Sequence, residues 1–227
     1  MKLRRGVRPA LAVVVSGLLL SGCGQLTPGT AAVVNGTKIP VSAVDDFVEA
    51  QCVVADAAKT SGQAQPESLA RLRTQSLRLL VDNRLSLQYA ASEGVTPSEE
   101  LATAFYSQIQ SGIESLPASA AERLTVVGKE LSQARAALVE VGAKTTGQAP
   151  TESNLQQLLA AGAQGQTTWQ KKAEVDTDPR YSPDASGLPS IGSGSVSKAG
   201  SSFAKAAGKE TLDPSFVSAL PAGQRCG

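Results

Sequence analysis

Histidine is absent from the chain. That excludes His-ligated metals, Ser-His-Asp and Cys-His nucleophile activation, and any histidine general base. Aromatic residues make up only 4% and Trp169 is the sole tryptophan, so stacking platforms and aromatic sugar clefts are poorly supplied. Neither sign of charge is in excess, with 21 Lys and Arg against 20 Asp and Glu. Four of those bases (Lys2, Arg4, Arg5 and Arg8) lie in the first 22 residues, which carry no acid. Without them the remainder holds 17 bases against 20 acids, a net charge of −3. A weakly acidic body has no electrostatic footprint for nucleic acid. Acid pairs such as Asp45-Asp46 and Glu99-Glu100 exist, but adjacent helical residues point different ways. They read as first-turn charges that favour the helix dipole rather than as paired catalytic carboxylates. Composition thus argues against an enzyme and calls for no cofactor and no metal. At 227 residues there is room for one domain or two small ones.

What the sequence does have begins at its N-terminus. Residues 1–8 are basic, and residues 10–20 form an apolar run of eleven, too short for a bilayer core of about 30 Å. The run ends in Leu20-Ser21-Gly22-Cys23, which resembles a bacterial lipobox. The resemblance implies cleavage before Cys23 and a diacylglyceryl thioether on its sulfur, with palmitate-like acyl chains as the membrane anchor. Two or more acyl chains on one residue anchor stably where one binds only marginally. The alternative is an ordinary secretory signal with an incidental cysteine. Residues 1–22 are then a leader and 23–30 a lipidated tether. Nothing later in the chain is long and apolar enough for a membrane helix. The expected location is the outer, extracytoplasmic face of the cell membrane.

With Cys23 taken by lipid, Cys52 and Cys226 remain, and an exported protein with two thiols has one intramolecular connectivity. A bridge between them closes most of the chain, for which the chain-entropy model gives about 5 kcal/mol at most. The alternatives are two free thiols or pairing with another chain.

Asn35-Gly36 between two short apolar runs supplies the two positive φ values of a type I′ hairpin turn. After Pro40, Ser42-x-x-Asp45 resembles a capping box. The helix that follows carries Val44, Phe47, Val48, Gln51 and Ala55 on one face, with Cys52 on its flank. A break at 60–66 precedes the longest helical pattern, 67–93. There Leu69, Leu72, Leu80 and Leu87 cluster on one side and Arg71, Arg78 and Asp82 lie opposite. Arg73 and Arg84 fall near the apolar side, as substrate contacts or as snorkelling edge charges. Thr96-Pro97-Ser98-Glu99 combines a capping box with proline at the first helical position and opens the next helix, with Leu101, Phe105, Ile109 and Ile113. Ser119-x-x-Glu122 opens another, whose Leu124, Val127, Leu131, Ala134, Leu138 and Val141 form one narrow seam for a partner helix, within the domain or outside it. A shorter final helix is expected over 151–161. Residues 173–178 read as a strand that pairs with the hairpin, which alone is marginal. Residues 183–211, rich in Ser, Gly and Ala, read as irregular. Residues 212–227 read as a tail returned to the body by Cys226.

The order of lipobox, hairpin and capped helices resembles the N-terminal domain of the SurA and PrsA envelope chaperones. The residues that carry the resemblance are Ala32-Val-Val-Asn-Gly-Thr-Lys-Ile39 with Ser42 and Val44, and the stretch 79–100, which ends Glu-Gly-Val-Thr-Pro-Ser-Glu-Glu. Asp178-Pro-Arg-Tyr181 and the ending Arg225-Cys-Gly are similar to actinobacterial lipoproteins of this group. The resemblance covers about residues 31–182. It implies a mainly α fold, a helical bundle with a small sheet joining the hairpin to the late strand, and a chaperone-like function on unfolded or exported polypeptide clients. The parvulin domain usual in that family has no counterpart here, so prolyl isomerase activity is not implied. Phe47, Tyr89, Phe105 and Tyr106 line a client groove or, as aromatics at helical spacing more often do, the core. The alternative function is a structural or adaptor lipoprotein that binds one defined envelope partner through the 124–141 seam.

Overall fold

The structure, a computed structural model, describes residues 26–60, 66–191, 200–209 and 211–227. The expected leader, Cys23 as the expected lipidation site and part of the Ser/Gly-rich stretch lie outside the described residues. In chain order the elements are Thr30–Val34 (β1), Thr37–Pro40 (β2), Val41–Thr60 (α1), Glu67–Ser68 (β3), Leu69–Ser92 (α2), Glu99–Glu114 (α3), Ala118–Thr146 (α4), Leu155–Trp169 (α5), Val175–Thr177 (β4), Ser202–Ala207 (α6), Pro214–Ser218 (α7) and Arg225–Cys226 (β5). The fold is mainly helical with a small antiparallel sheet, as the sequence implies.

The hairpin forms around Asn35 and Gly36, whose φ angles of 45° and 79° are the left-handed pair that a tight turn requires. Asn35 also holds the third strand. Its N–H donates to the Glu174 carbonyl, its Oδ1 accepts from the Glu174 N–H, and its Nδ2 donates to Gln88 Oε1, each at 2.8 Å. The resulting sheet has the order β2-β1-β4, with Val34 opposite Val175 and Ala32 opposite Thr177. Central β1 is buried along its whole length, so its run of Ala and Val is apolar without alternation.

Against that sheet packs the main core, in which Val44 and Val48 of α1 meet Leu72, Leu77, Leu80, Val81 and Leu85 of α2. The sequence pattern gives α2 one apolar face. In the structure it is the central helix, with buried positions well beyond that face, among them Thr74, Ser76, Asn83 and Ser86. Small polar side chains pass for surface in a periodicity count, but here Ser76 and Ser86 pair inside the protein, while the buried Asn83 Nδ2 has no hydrogen-bond partner among the described residues. Gln51 Nε2 donates to Ser76 Oγ at 2.8 Å, and Ser86 Oγ donates to Gln166 Oε1 at 3.0 Å.

Helix α4 also departs from its pattern. Ala134, Leu138 and Val141 of the expected seam are buried, but Ala136, Ala137 and Val139 between them and Gly142 after them are buried too. Leu138 and Val141 join Tyr89 in one cluster, while Ala136 and Val139 join Phe105 and Leu158 in another. The reason is side-chain size. A Cβ on Gly142 would overlap the Leu158 carbonyl, and one on Gly162 would overlap the Leu138 carbonyl, so α4 and α5 touch backbone to backbone through reciprocal glycines. Over this stretch the seam is a contact inside the molecule.

Helix starts shift by one or more residues from the expected capping boxes. Ser98, not Thr96, caps α3, its Oγ accepting from the Leu101 N–H at 3.3 Å, which leaves Pro97 outside the helix. Helix α4 starts at Ala118, with the Pro117 carbonyl accepting from Ala120 and Ala121, so Ser119 lies inside it. Ser42 likewise lies within α1. Helix α5 runs to Trp169, well past the expected end, and brings Trp169 onto Tyr89 with ring centroids 5.7 Å apart.

The stretch after β4 is more ordered than its composition suggests. Asp178 caps a short turn of 3₁₀ helix by accepting from the Arg180 N–H, and the Arg180 guanidinium beside it holds its carboxyl below the usual range. Tyr181, at the end of that motif, is buried in the main core. Leu188 joins the same core, carried there by an Asp184 turn and a bridge between Pro183 and Pro189. The tail returns through β5, where Glu67 pairs with Cys226 and Ser68 with Arg225. This places Cys52 and Cys226 at disulfide distance, with their Cα atoms 5.1 Å apart.

Candidate functional site

The four candidate aromatics do not share one groove. Tyr89 is closed in against Trp169, and Phe105 is closed in between α3, α4 and α5. Tyr106 is half-buried on the α3–α4 contact, its hydroxyl 3.3 Å from Thr125 Oγ1 and its ring under the Lys129 ammonium at 5.8 Å. Tyr89 and Phe105 are thus core contacts, and Tyr106 packs on the α3–α4 contact. Phe47 alone of the four meets an open cleft.

That cleft, of about 430 Å³, runs between α1 and the first half of α4 with α2 beneath. Helix α1 supplies Ala43, Asp46 and Phe47, a step of three and four residues that puts them on one face. Helix α4 supplies Ser119, Glu122, Arg123, Val126, Val127 and Glu130, again one face over three turns. The other side of α4 is occupied at this level. Gly128 there faces Ile109, Ile113 and Tyr106 of α3 so closely that a Cβ would stand 3.1 Å from Ile109 Cδ1. With α4 held on that side, its opposite face looks across to α1 over a gap.

The floor of the cleft is apolar. Phe47 is 8% exposed and Leu80 5%, with half-buried Val127 beside them. Val126 stands 65% exposed at the lip of the cleft. The rim is charged and internally tied. Arg123 Nη1 lies 2.8 Å from Glu49 and its Nε 3.4 Å from Asp46, while Arg84 lies 3.4 Å from Glu130. The Glu49 hydrogen bond, with the charges of Asp46 and Glu122, holds the Arg123 guanidinium more firmly protonated than usual. Arg84 therefore faces Glu130, and Arg73 pairs with Asp45 at 3.4 Å, so both near-apolar arginines are edge charges with acidic partners.

The arrangement is an apolar trough whose charged rim is internally paired and also carries the Ser119 hydroxyl. Among the described residues no group of three His, Cys, Asp or Glu is placed to hold a metal, and no helix is long and apolar enough to cross a membrane. Sequence periodicity marks Phe47 as apolar and inward. It misses Val126, whose exposure depends on α1 standing off from α4. A second cavity, of about 340 Å³, lies where Leu69 and Thr74 meet Phe203, Leu212, Phe216 and Leu220 of the tail region. Comparison with family models, curated proteins and solved structures gives no match.

Proposed function

We propose that the protein is a lipid-anchored envelope factor that holds unfolded or exported polypeptides without altering them. Cys23 carries the acyl chains, and the Cys52–Cys226 pair is a structural disulfide. The observation that carries this reading is the cleft between α1 and α4, whose floor of Phe47, Leu80 and Val127 and exposed Val126 offer burial to apolar side chains of another chain. The lipobox-like leader and the hairpin-and-helix order that resembles the SurA and PrsA chaperones support it.

Anchor and cleft are close in this scheme. The Gly29 carbonyl accepts from the Val41 N–H at 2.8 Å, which ties the first turn of α1 to the end of the tether. The six residues from 24 to 29 span about 20 Å at full extension. The cleft begins at Ala43, within the first turn of α1. Polypeptide emerging at the membrane surface therefore meets it within a short distance.

The test is light scattering from an unfolded client that aggregates on removal of denaturant, with and without excess soluble chain beginning at residue 24, just after the lipidated cysteine. Suppression is expected. Val126→Asp puts a charge on the exposed lip of the cleft and is expected to lose most of that suppression, with helical circular dichroism and melting temperature unchanged because Val126 packs on little. Equal suppression by the variant removes the cleft from the account, and no suppression by the wild type removes the holding function.

A further inference from the structure

We infer that the cleft prefers apolar segments flanked by lysine or arginine. The inference rests on the polypeptide-holding reading above and names its substrate class. Three acids, Asp46, Glu122 and Glu130, line the cleft against one base, Arg123, a net charge of −2 at the rim. Including the two residues that pair with this set, Glu49 and Arg84, adds one charge of each sign and leaves the balance unchanged. Both bases are already engaged. Arg123 lies between Glu49 and Asp46, and Arg84 lies on Glu130. The Lys129 ammonium, the next cation along α4, lies over the Tyr106 ring and also borders the hollow shared by Val126 and Glu130, which leaves a net charge of −1 around the lip. The same pairs engage Asp46, Glu49 and Glu130, so the field an incoming chain meets at the lip is the small acidic excess centred on Glu122.

The geometry fits such a segment. The α4 wall extends from Ser119 to Glu130, about 16 Å at 1.5 Å per residue, with Glu122 and Glu130 bracketing Val126 four residues to either side. An apolar stretch lying over Val126, Phe47 and Leu80 brings its flanking residues level with those two carboxylates. Basic flanks meet opposite charge there, and acidic flanks meet like charge. The side chains are solvated, so the preference is modest and screened by salt.

Two fluorescent twelve-residue peptides test this, with the same Leu/Val/Ala centre and either two lysines or two glutamates at each end. Binding is read by anisotropy with the mature lipidated protein in zwitterionic nanodiscs, and empty nanodiscs serve as the blank. The lysine-flanked peptide is expected to bind about fivefold tighter at low salt, with the difference gone at 0.5 M salt. Glu122→Lys is expected to shrink the difference to about twofold or less while the protein keeps its melting temperature. Equal affinity for the two peptides overturns the charge preference and leaves the cleft as a binding site. A preference that survives Glu122→Lys intact moves the selection away from this cleft and overturns the inference. Failure of both peptides to bind overturns the polypeptide-holding reading itself.

Discussion

Asn35 and Gly142 show the two ways in which single residues shape this fold. Asn35 is legible in the sequence, because Asn-Gly between apolar runs has few other uses, and its turn forms as expected with φ positive at both residues. Its three bonds to Glu174 and Gln88 were not legible, since they depend on which strand lies alongside. Gly142 and Gly162 carry no signal in the sequence at all. A glycine inside a helical pattern reads as a mild weakness until the partner helix is known, and here each one meets a carbonyl of the other helix. Gly142→Ala is expected to destabilise the protein by about 1–3 kcal/mol, the usual cost of forcing a methyl into a filled contact. Urea unfolding read by circular dichroism checks this. The helix-propensity gain of alanine, about 1 kcal/mol on its own, predicts the opposite sign, so an upward shift of the midpoint rejects the close contact.

Elements were easier to foresee than their ends and their faces. The hairpin, the helices and the late strand all form, and Val175–Thr177 pairs with the hairpin. The caps move for different reasons: α4 starts at Ala118 on the Pro117 carbonyl, one residue before Ser119, and at α3 a second hydroxyl follows the first. Ser98 takes the role that the spacing gave to Thr96. The faces of α2 and α4 are wider than their leucine patterns, since small residues bury without adding to a hydrophobic stripe. Leu188 is missed for a related reason, as a lone leucine in a Ser/Gly-rich stretch has no periodicity to place it. The tail is held at more than the cysteine pair. Beyond β5 its attachment includes Val217 and Leu220, both buried, and the Gly227 N–H donating to Asp56 at 3.1 Å. Reduction of Cys52–Cys226 is expected to lower the melting temperature and to free the tail for proteolysis near residues 208–213 before the helical body unfolds. Intact mass without reductant is expected to be two hydrogens lighter than with it. Identical masses and identical proteolysis in both conditions reject the bridge.

For the whole molecule, the sequence indicated class but not site. Absent histidine and scarce aromatics narrowed the chemistry, and periodicity indicated a helical body. The cleft lies beyond such reading because three helices build it, each contributing one face, and its most exposed apolar residue is an ordinary valine. The four aromatics whose spacing fits either a groove or the core separate into two core contacts, one helix-packing edge and one cleft floor. What remains as the central claim is that this cleft holds other polypeptides. The most direct measurement places a photo-crosslinking amino acid at position 126, and separately at exposed position 152 before α5, then irradiates each variant with a defined unfolded client. The account predicts a covalent adduct of client with the position-126 variant and little or none with the position-152 variant. Equal labelling from both positions, or none from 126 while the client is demonstrably kept from aggregating, contradicts it.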